Sequence, residues 1–239
     1  MSGAPGLGLA GRGWSVDCGS VGENARAGGG GPGRRRVVVL AGPSGSGKSR
    51  LAERLHSRHG WPVFRLDDFY RDEDDRAMPR HPELGIVDWD HPDSWDADRA
   101  VLALAELLDT GRTRTPVYDI ASSRAVGEHE VVAGMQDLVI AEGIFAAEIV
   151  RALDAEQMLH SAWCVHHRPA VTFVRRLLRD LRERRKPAPV LVRRGWALMR
   201  DEPDIVRRQT GLGARPARAR TVEHTLAETS AGTDALPEP

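Results

Sequence analysis

The amino-acid sequence predicts an α/β fold in which helices cover both faces of a mostly parallel five-stranded sheet. Short apolar runs alternate with helical segments through most of the chain, which is typical of parallel sheets. A glycine-rich turn, residues 42–49, lies between the first apolar run and the first helical segment. The length of 239 residues leaves room for one domain of this kind with shorter flanking segments.

Five short segments, four of them rich in apolar residues, predict the strands. The first, VVVL, is wholly apolar, as expected of a strand buried on both faces of a parallel sheet. The segment that follows the second run, residues 71–93, is acidic and contains prolines, so we expect irregular structure there. The predicted strands are 37–40, 62–66, 113–117, 137–141 and 163–165.

The spacing of apolar residues and the capping signals predict four helices. In the first, Leu51 and Leu55 lie one turn apart. The second begins with Ser94 as its cap and ends just before Gly111, and Pro169 fits the first turn of the third. The predicted helices are 48–59, 94–109, about 169–185 and 190–209.

Both ends of the chain lack the apolar periodicity of a folded domain. Residues 1–33 are glycine-rich, and we expect a disordered extension there. Residues 213–239 are expected to form a disordered tail, which leaves about 34–212 for the folded domain. The apolar side of the helix predicted over 190–209 fits closure of the core or a contact in a homo-oligomer equally well.

The composition argues against several classes of protein. Hydrophobic residues make up 41% of the chain, but no apolar run approaches the roughly 18 residues that a membrane span needs. Two cysteines are too few for a disulfide framework or a zinc site, and the start of the chain lacks a secretory pattern, so we expect a cytoplasmic protein. Equal numbers of basic and acidic residues, 34 each, argue against nucleic-acid binding.

The charges are nevertheless segregated along the chain. Residues 66–98 hold 12 acidic and 3 basic side chains, a net charge of −9. Residues 165–220 hold 16 basic and 5 acidic side chains, a net charge of +11. Two solvated faces would account for this pattern, and so would a metal-and-hydroxyl site that faces an anion site.

The glycine-rich turn GPSGSGKS matches the phosphate-binding (Walker A) pattern G-x-x-x-x-G-K-S/T at every fixed position. Its glycines let successive backbone N–H groups point at one phosphate, and the following helix N-terminus adds partial positive charge. Lys48 can reach the β and γ phosphates, and the Ser49 hydroxyl can bind Mg²⁺. The residues predicted to bind the nucleotide here are Gly42, Ser44, Gly45, Ser46, Gly47, Lys48 and Ser49.

A bound Mg²⁺ usually needs a further acidic anchor at the end of a neighbouring strand. Asp67 and Glu142 each follow an apolar run, so both should emerge at the carboxyl edge of the sheet. A turn-capping role for Asp67 and an arginine partner for Glu142 are the structural alternatives. The sequence lacks the N-K-x-D motif of a GTPase and is short for a motor or a helicase, which favours a small-molecule kinase.

Five further motifs resemble, in the same order, those of the uridine/cytidine kinases and the related phosphoribulokinases. The resemblance implies the three-layer fold of P-loop NTPases, a kinase domain over about 34–212, and a short lid over about 175–190. The motifs are LDDFY (66–70), DWDHPDSWD (88–96), TPVYD (115–119), IAEGI (140–144) and RRLLRDLRER (175–184).

The resemblance also implies roles for individual residues. Asp67 would take the proton from the acceptor hydroxyl and help to hold Mg²⁺, and Glu142 would hold the metal together with Ser49. Lys48 and Arg179 would be catalytic through the charges they place on the phosphates. The remaining implied contacts are Asp90 with the ribose hydroxyls, Tyr70 and Tyr118 with the acceptor pocket, Arg176 with the acceptor, and Arg184 with the nucleotide.

The function implied by the resemblance is ATP- and Mg²⁺-dependent phosphorylation of the 5′-hydroxyl of uridine or cytidine, a step of pyrimidine salvage. One position departs from the family pattern. Where the pyrimidine nucleoside kinases carry a base-reading histidine, this chain has Ser123, and His129 lies six residues further on. The alternatives are a kinase for another small alcohol, such as a pantothenate-like or sugar phosphate acceptor, and an ATP-binding module that has no small acceptor.

Overall fold

The computed structural model describes residues 34–82, 85–135, 138–167 and 202–233. The predicted extension over 1–33, the predicted helix over 169–185 and the predicted lid over 175–190 lie outside these residues. In chain order, the elements are β1 (Arg36–Ala41), α1 (Lys48–His59), β2 (Val63–Arg65), α2 (Ala97–Thr110), β3 (Arg112–Asp119), β4 (Arg124–Val132), β5 (Leu138–Glu142), α3 (Val150–Ala155), β6 (Leu159–Val165), α4 (202–211), β7 (Arg215–Ala217) and α5 (Ala219–Thr233).

The central sheet has five strands in the order β2-β5-β1-β6-β7, and every neighbouring pair is parallel. This confirms the predicted α/β class and the predicted mostly parallel five-stranded sheet. Because β1 lies in the middle, its side chains are buried on both faces, as its unbroken apolar sequence requires.

The two faces of β1 contribute to two separate hydrophobic clusters. Val37 and Val39 pack in the cluster that includes α2 and α3, with Leu104 of α2 fully buried. Val38 and Leu40 point the other way and pack with α1 and α5. The helices therefore form a layer on each side of the sheet, and the loops at its carboxyl edge lie between these layers.

The predicted strand over 113–117 exists, but it is not part of the central sheet. It lies within β3, which pairs antiparallel with β4 as a separate two-stranded sheet. The sequence interpretation missed β4, because eight of its nine residues are not buried and it lacks an apolar run. The fifth strand of the central sheet is instead β7.

The expectation of a disordered tail is wrong for residues 215–233, which form β7 and α5. Val222 and Leu226 of α5 are buried against the α1 side of the sheet. Glu223 adds ion pairs to α1, at 3.1 Å from Arg54 and 3.6 Å from Arg58. Few apolar residues are enough for this helix because only one narrow side of it faces the core.

The helix α2 begins two residues later than the sequence suggests. Its cap is Asp96, whose side chain accepts a hydrogen bond from the Arg99 N–H at 3.0 Å. Ser94 is buried in a short 3₁₀ turn, and its hydroxyl donates to the Trp89 carbonyl at 3.1 Å. Gly111 ends the helix with a φ of 82°, as predicted. Over the stretches that the structure describes, no helix has the length and apolar character for crossing a bilayer.

Candidate active site

The glycine-rich turn 42–49 connects the carboxyl end of β1 to the first residue of α1. Gly45 and Gly47 have φ values of 83° and 93°, a backbone region that side chains disfavour. At Gly42, also with positive φ, a side chain would run into the carbonyl oxygen of Val165 on β6. Three positions of the predicted phosphate loop therefore require glycine for geometric reasons.

The inside of this turn presents donors to a ligand. The Ser46 hydroxyl is fully buried and has no hydrogen-bond partner among the described residues. The Lys48 side chain begins α1 and is only 5% exposed. A buried hydroxyl that lacks a partner and a buried lysine in the same turn are costly unless an acceptor with negative charge binds there. The arrangement suits the phosphates of a nucleotide, as the motif predicts.

Glu142, the last residue of β5, lies beside this turn. Its Oε2 accepts a hydrogen bond from the Ser49 hydroxyl at 3.2 Å. Burial raises the pKa of the Glu142 carboxyl, the nearby Lys48 ammonium group opposes this shift, and Asp67 adds to it. The structure thus brings the predicted metal-binding residues Ser49, Asp67 and Glu142 to one edge of the sheet.

Asp67 follows β2 in a short 3₁₀ turn over Leu66–Phe69. It lies near Glu142 because β2 and β5 are neighbouring parallel strands, with Arg65 opposite Glu142. The Asp67 Oδ1 accepts a hydrogen bond from the Ile144 N–H at 3.0 Å. A methyl group on Gly143 would lie 2.8 Å from the same Oδ1, so this turn packs tightly against the carboxylate.

A hydroxyl group and two carboxylates at one sheet edge form a set of oxygen ligands that suits Mg²⁺. The residues of this chain that would hold the ion are Ser49, Asp67 and Glu142. The raised pKa of Glu142 also favours a cation at this edge, because a cation would stabilise the charged form of a buried carboxylate that lies near a second carboxylate.

Aromatic side chains pack around Tyr70, three residues after Asp67, and form an aromatic wall. Tyr70 contacts Trp89, Tyr118 and Phe145, with ring centroids 5.9, 5.8 and 6.1 Å away. Trp95 stacks on Phe145 at 6.2 Å and is almost fully buried. The predicted acceptor residues Tyr70 and Tyr118 are therefore neighbours, and each is only partly exposed, as a pocket lining requires.

Burial and nearby carboxylates shift the pKa values of the two tyrosines. Burial raises the pKa of Tyr70 most, and the negative charges of Asp67 and Asp90 raise it further. Burial also raises the pKa of Tyr118 to about 12, with further contributions from Asp72 and Glu73. The predicted ribose ligand Asp90 thus lies near Tyr70, in an exposed turn. The Asp90 backbone N–H donates to the Asp88 carboxylate at 3.2 Å.

The β3–β4 hairpin is joined to the acidic segment that follows Tyr70. The Tyr118 hydroxyl donates to the Arg71 carbonyl at 3.2 Å, and the Ala125 N–H donates to the Asp72 carboxylate at 2.8 Å. Ser123 lies in the hairpin turn with a φ of 54°, and its carbonyl accepts from the Glu73 N–H at 3.0 Å. The hairpin therefore packs against residues 71–73, directly after Tyr70.

Two further residues at this site escaped the sequence interpretation as functional candidates. Asp68 is buried, and its Oδ1 accepts from the Tyr118 N–H at 3.4 Å, so it ties the hairpin to the turn that holds Asp67. Its position in the LDDFY motif was the available signal. Gln209 on α4 donates to the Ile144 carbonyl at 2.9 Å, and no motif marks it. The predicted Arg176, Arg179 and Arg184 lie outside the described residues.

The sequence matches the model of the Phosphoribulokinase / Uridine kinase family over residues 37–209. The chain belongs to this family. The uridine kinase of Clostridium botulinum (strain Kyoto / Type A2) is 28% identical over 155 residues, which cover 63% of this chain and 72% of the relative. The uridine kinase of Bacillus pumilus (strain SAFR-032) is 30% identical over 151 residues, covering 62% and 69%. Family membership indicates a P-loop kinase, that is, a phosphotransferase.

A solved structure supports the fold. A Silicibacter sp. TM1040 protein described as a fructose transport system kinase superposes with a TM-score of 0.54 at 20% sequence identity. The superposition covers 81% of this chain and 91% of that one. At this identity the likeness concerns the fold alone.

Proposed function

We propose that this protein transfers the γ-phosphoryl group of ATP to the 5′-hydroxyl of a pyrimidine nucleoside, uridine or cytidine. The observation that carries the proposal is the position of Asp67. Its carboxylate shares one sheet edge with Ser49 and Glu142 of the phosphate site and also faces Tyr70 of the aromatic pocket. An acceptor hydroxyl in that pocket would meet the terminal phosphate beside Asp67. The curated relatives named uridine kinase support the choice of acceptor.

In this proposal, the phosphate loop and Lys48 bind the triphosphate. The loop supplies backbone N–H groups and the Ser46 hydroxyl, and Lys48 supplies a buried positive charge. Ser49, Asp67 and Glu142 would hold Mg²⁺, which, when bound, neutralises charge on the phosphate oxygens. Arg179 and Arg184 are proposed to add positive charge at the phosphates, and Arg176 to contact the acceptor.

Asp67 is proposed as the general base. The Ile144 N–H engages its Oδ1 at 3.0 Å and fixes the carboxylate in one orientation, so we expect Oδ2 to receive the hydroxyl proton. The proton need leave the hydroxyl only after bond breaking to the leaving group is well advanced, because phosphoryl transfer is largely dissociative.

The charges of the described residues around Tyr70 and Tyr118 favour a neutral acceptor over a sugar phosphate or a pantothenate-like acid. Burial raises the pKa values of the two tyrosines most, and the negative charges of Asp67 and Asp90 near Tyr70, and of Asp72 near Tyr118, raise them further. Arg71 lies beside this pocket but is 3.5 Å from Asp75 and 3.7 Å from Asp96, so its charge is already balanced. An anionic acceptor would be repelled here, whereas a nucleoside can stack on the aromatic rings.

A panel of acceptors tests the proposal. Release of ADP from ATP and Mg²⁺ would be measured with uridine, cytidine, adenosine, pantothenate and ribose 5-phosphate. We expect turnover with the pyrimidine nucleosides and none above background with the two anionic acceptors. Turnover with an anionic acceptor alone would contradict the assigned acceptor class. Slow ADP release that no acceptor stimulates would favour an ATP-binding module instead.

A further inference from the structure

Ile144 connects Asp67 to a residue far away in the chain. Its N–H donates to the Asp67 Oδ1 at 3.0 Å, and its carbonyl accepts from the Gln209 Nε2 at 2.9 Å. The backbone of a single residue, Ile144, therefore connects the Asp67 carboxylate to the Gln209 amide. Gly143 packs against Leu66 and Asp67 so closely that a displacement of this turn would also displace the carboxylate.

Both ends of the Gln209 amide are occupied. Its Oε1 accepts a hydrogen bond from the Cys164 thiol at 3.3 Å, and Gln209 is buried, with 7% of its surface exposed. Burial raises the pKa of the Cys164 thiol to about 11, so the thiol keeps its proton and remains a donor at neutral pH. Because Oε1 accepts from the thiol, Nε2 is the end of the amide that faces Ile144. Only Nε2 can donate to the Ile144 carbonyl.

A second contact holds α4 against the same turn without touching Ile144. Arg208 lies 2.6 Å from Glu148, in the 3₁₀ turn that follows Ile144, and its side chain is half exposed. Arg208 and Gln209 thus make two neighbouring contacts from α4. Only the contact of Gln209 with Ile144 leads on to Asp67. The pair offers a matched comparison.

We propose that Gln209 is a positioning residue that acts through Ile144 to hold the Asp67 carboxylate in the orientation needed for phosphoryl transfer. This inference rests on the proposed function, because Asp67 must be the base. Without the amide, the partly buried Ile144 carbonyl loses its donor, and the turn shifts to find another. The Asp67 hydrogen bond weakens as a consequence, while the phosphate loop is untouched.

The test compares Gln209→Met, which keeps the length but has no donor, and Gln209→Glu, which keeps the acceptor for Cys164 but has no donor for Ile144. In each variant we expect kcat for nucleoside phosphorylation to fall about tenfold, with the KM for ATP changed less than about twofold. The control Arg208→Met should lower the melting temperature and leave kcat within about twofold of the wild type.

Two readouts distinguish positioning from a general loss of packing. Hydrogen exchange at the Ile144 amide should quicken about tenfold in both Gln209 variants and stay unchanged in Arg208→Met. In an Asp67→Asn background, followed by single turnover with radiolabelled ATP, Gln209→Met should cost less than about twofold, because the group it positions is gone.

An additive loss in the Asp67→Asn background, or unchanged Ile144 exchange in both Gln209 variants, would overturn the role of Gln209 alone. A wild-type enzyme without acceptor-dependent turnover would overturn the proposed function, and the catalytic role of Gln209 would fall with it. The wild-type measurement therefore separates the two failures.

Discussion

A single methyl group added at Gly143 should misplace the Asp67 carboxylate. In the structure, the Cβ of an alanine there would lie 2.8 Å from the Asp67 Oδ1 and 2.9 Å from the Leu66 Cβ, whereas ordinary contacts begin at 3.4 Å. The difference of about 0.6 Å must be taken up by the turn that holds Asp67. The φ of Gly143 is not in the left-handed region, so the substitution acts through this contact and not through backbone strain.

A displacement of this size in a group that orients the nucleophile should lower kcat roughly tenfold to a hundredfold. Overpacking should also lower the free energy of unfolding by about 1–3 kcal/mol. The dissociation constant for ATP should change less than about threefold, because the phosphate loop is not contacted. The assay is steady-state phosphorylation of uridine, with ATP affinity and thermal unfolding measured on the same samples.

Gly127→Ala is the matched control, because a methyl group on Gly127 of β4 would have nothing within 4 Å. This variant should keep wild-type kcat and a free energy of unfolding within about 0.5 kcal/mol of the wild type. If Gly143→Ala folds and retains kcat within about twofold of Gly127→Ala, the turn does not position the reacting group, and the role given to Asp67 is refuted.

Two other substitutions probe the metal edge and the pocket. The pKa of Glu142 is raised on folding, so the folded chain keeps a proton that the unfolded chain has lost, and stability falls as pH rises from about 4.5 towards the raised pKa. Glu142→Gln should therefore raise the melting temperature of the nucleotide-free protein at pH 7 and flatten this pH dependence, while kcat falls at least about tenfold. A lower melting temperature at pH 7 would contradict the raised pKa as the cause. Tyr118→Phe removes the hydroxyl that donates to the Arg71 carbonyl at 3.2 Å. We expect the KM for the nucleoside to rise about threefold to tenfold, with kcat and the KM for ATP nearly unchanged. A matching rise in the KM for ATP would place Tyr118 outside the acceptor pocket.

The sequence predicts β1, the glycine-rich turn and α1 well because these elements depend on local patterns. A wholly apolar strand, a glycine-rich turn and a helix follow one another directly, so their contacts need no distant partner. Asp67 and Glu142 could be placed together because the carboxyl ends of parallel strands meet at one edge. The structure adds that β2 and β5 are direct neighbours.

The elements that were missed depend on strand pairing and packing and have no clear apolar pattern of their own. The strand β4 has exposed side chains and is defined by its pairing with β3, and β7 is a three-residue strand that contains Pro216. The helix α5 becomes stable only by burying Val222 and Leu226 against the sheet. Gln209 reaches Ile144 across 65 residues and binds a backbone carbonyl, so no side-chain pattern in the sequence could indicate this contact.

The most direct test of the central claim is phosphoryl transfer by Asp67→Asn. The carboxamide keeps the size of the side chain and an oxygen for the Ile144 N–H, but it cannot accept the hydroxyl proton. Single-turnover formation of the nucleoside 5′-monophosphate from ATP, Mg²⁺ and uridine or cytidine would be followed in the wild type and the variant. We expect the product in the wild type and a rate at least about a hundredfold lower in Asp67→Asn, with ATP binding retained. Formation of the monophosphate at a similar rate in both proteins would contradict the account.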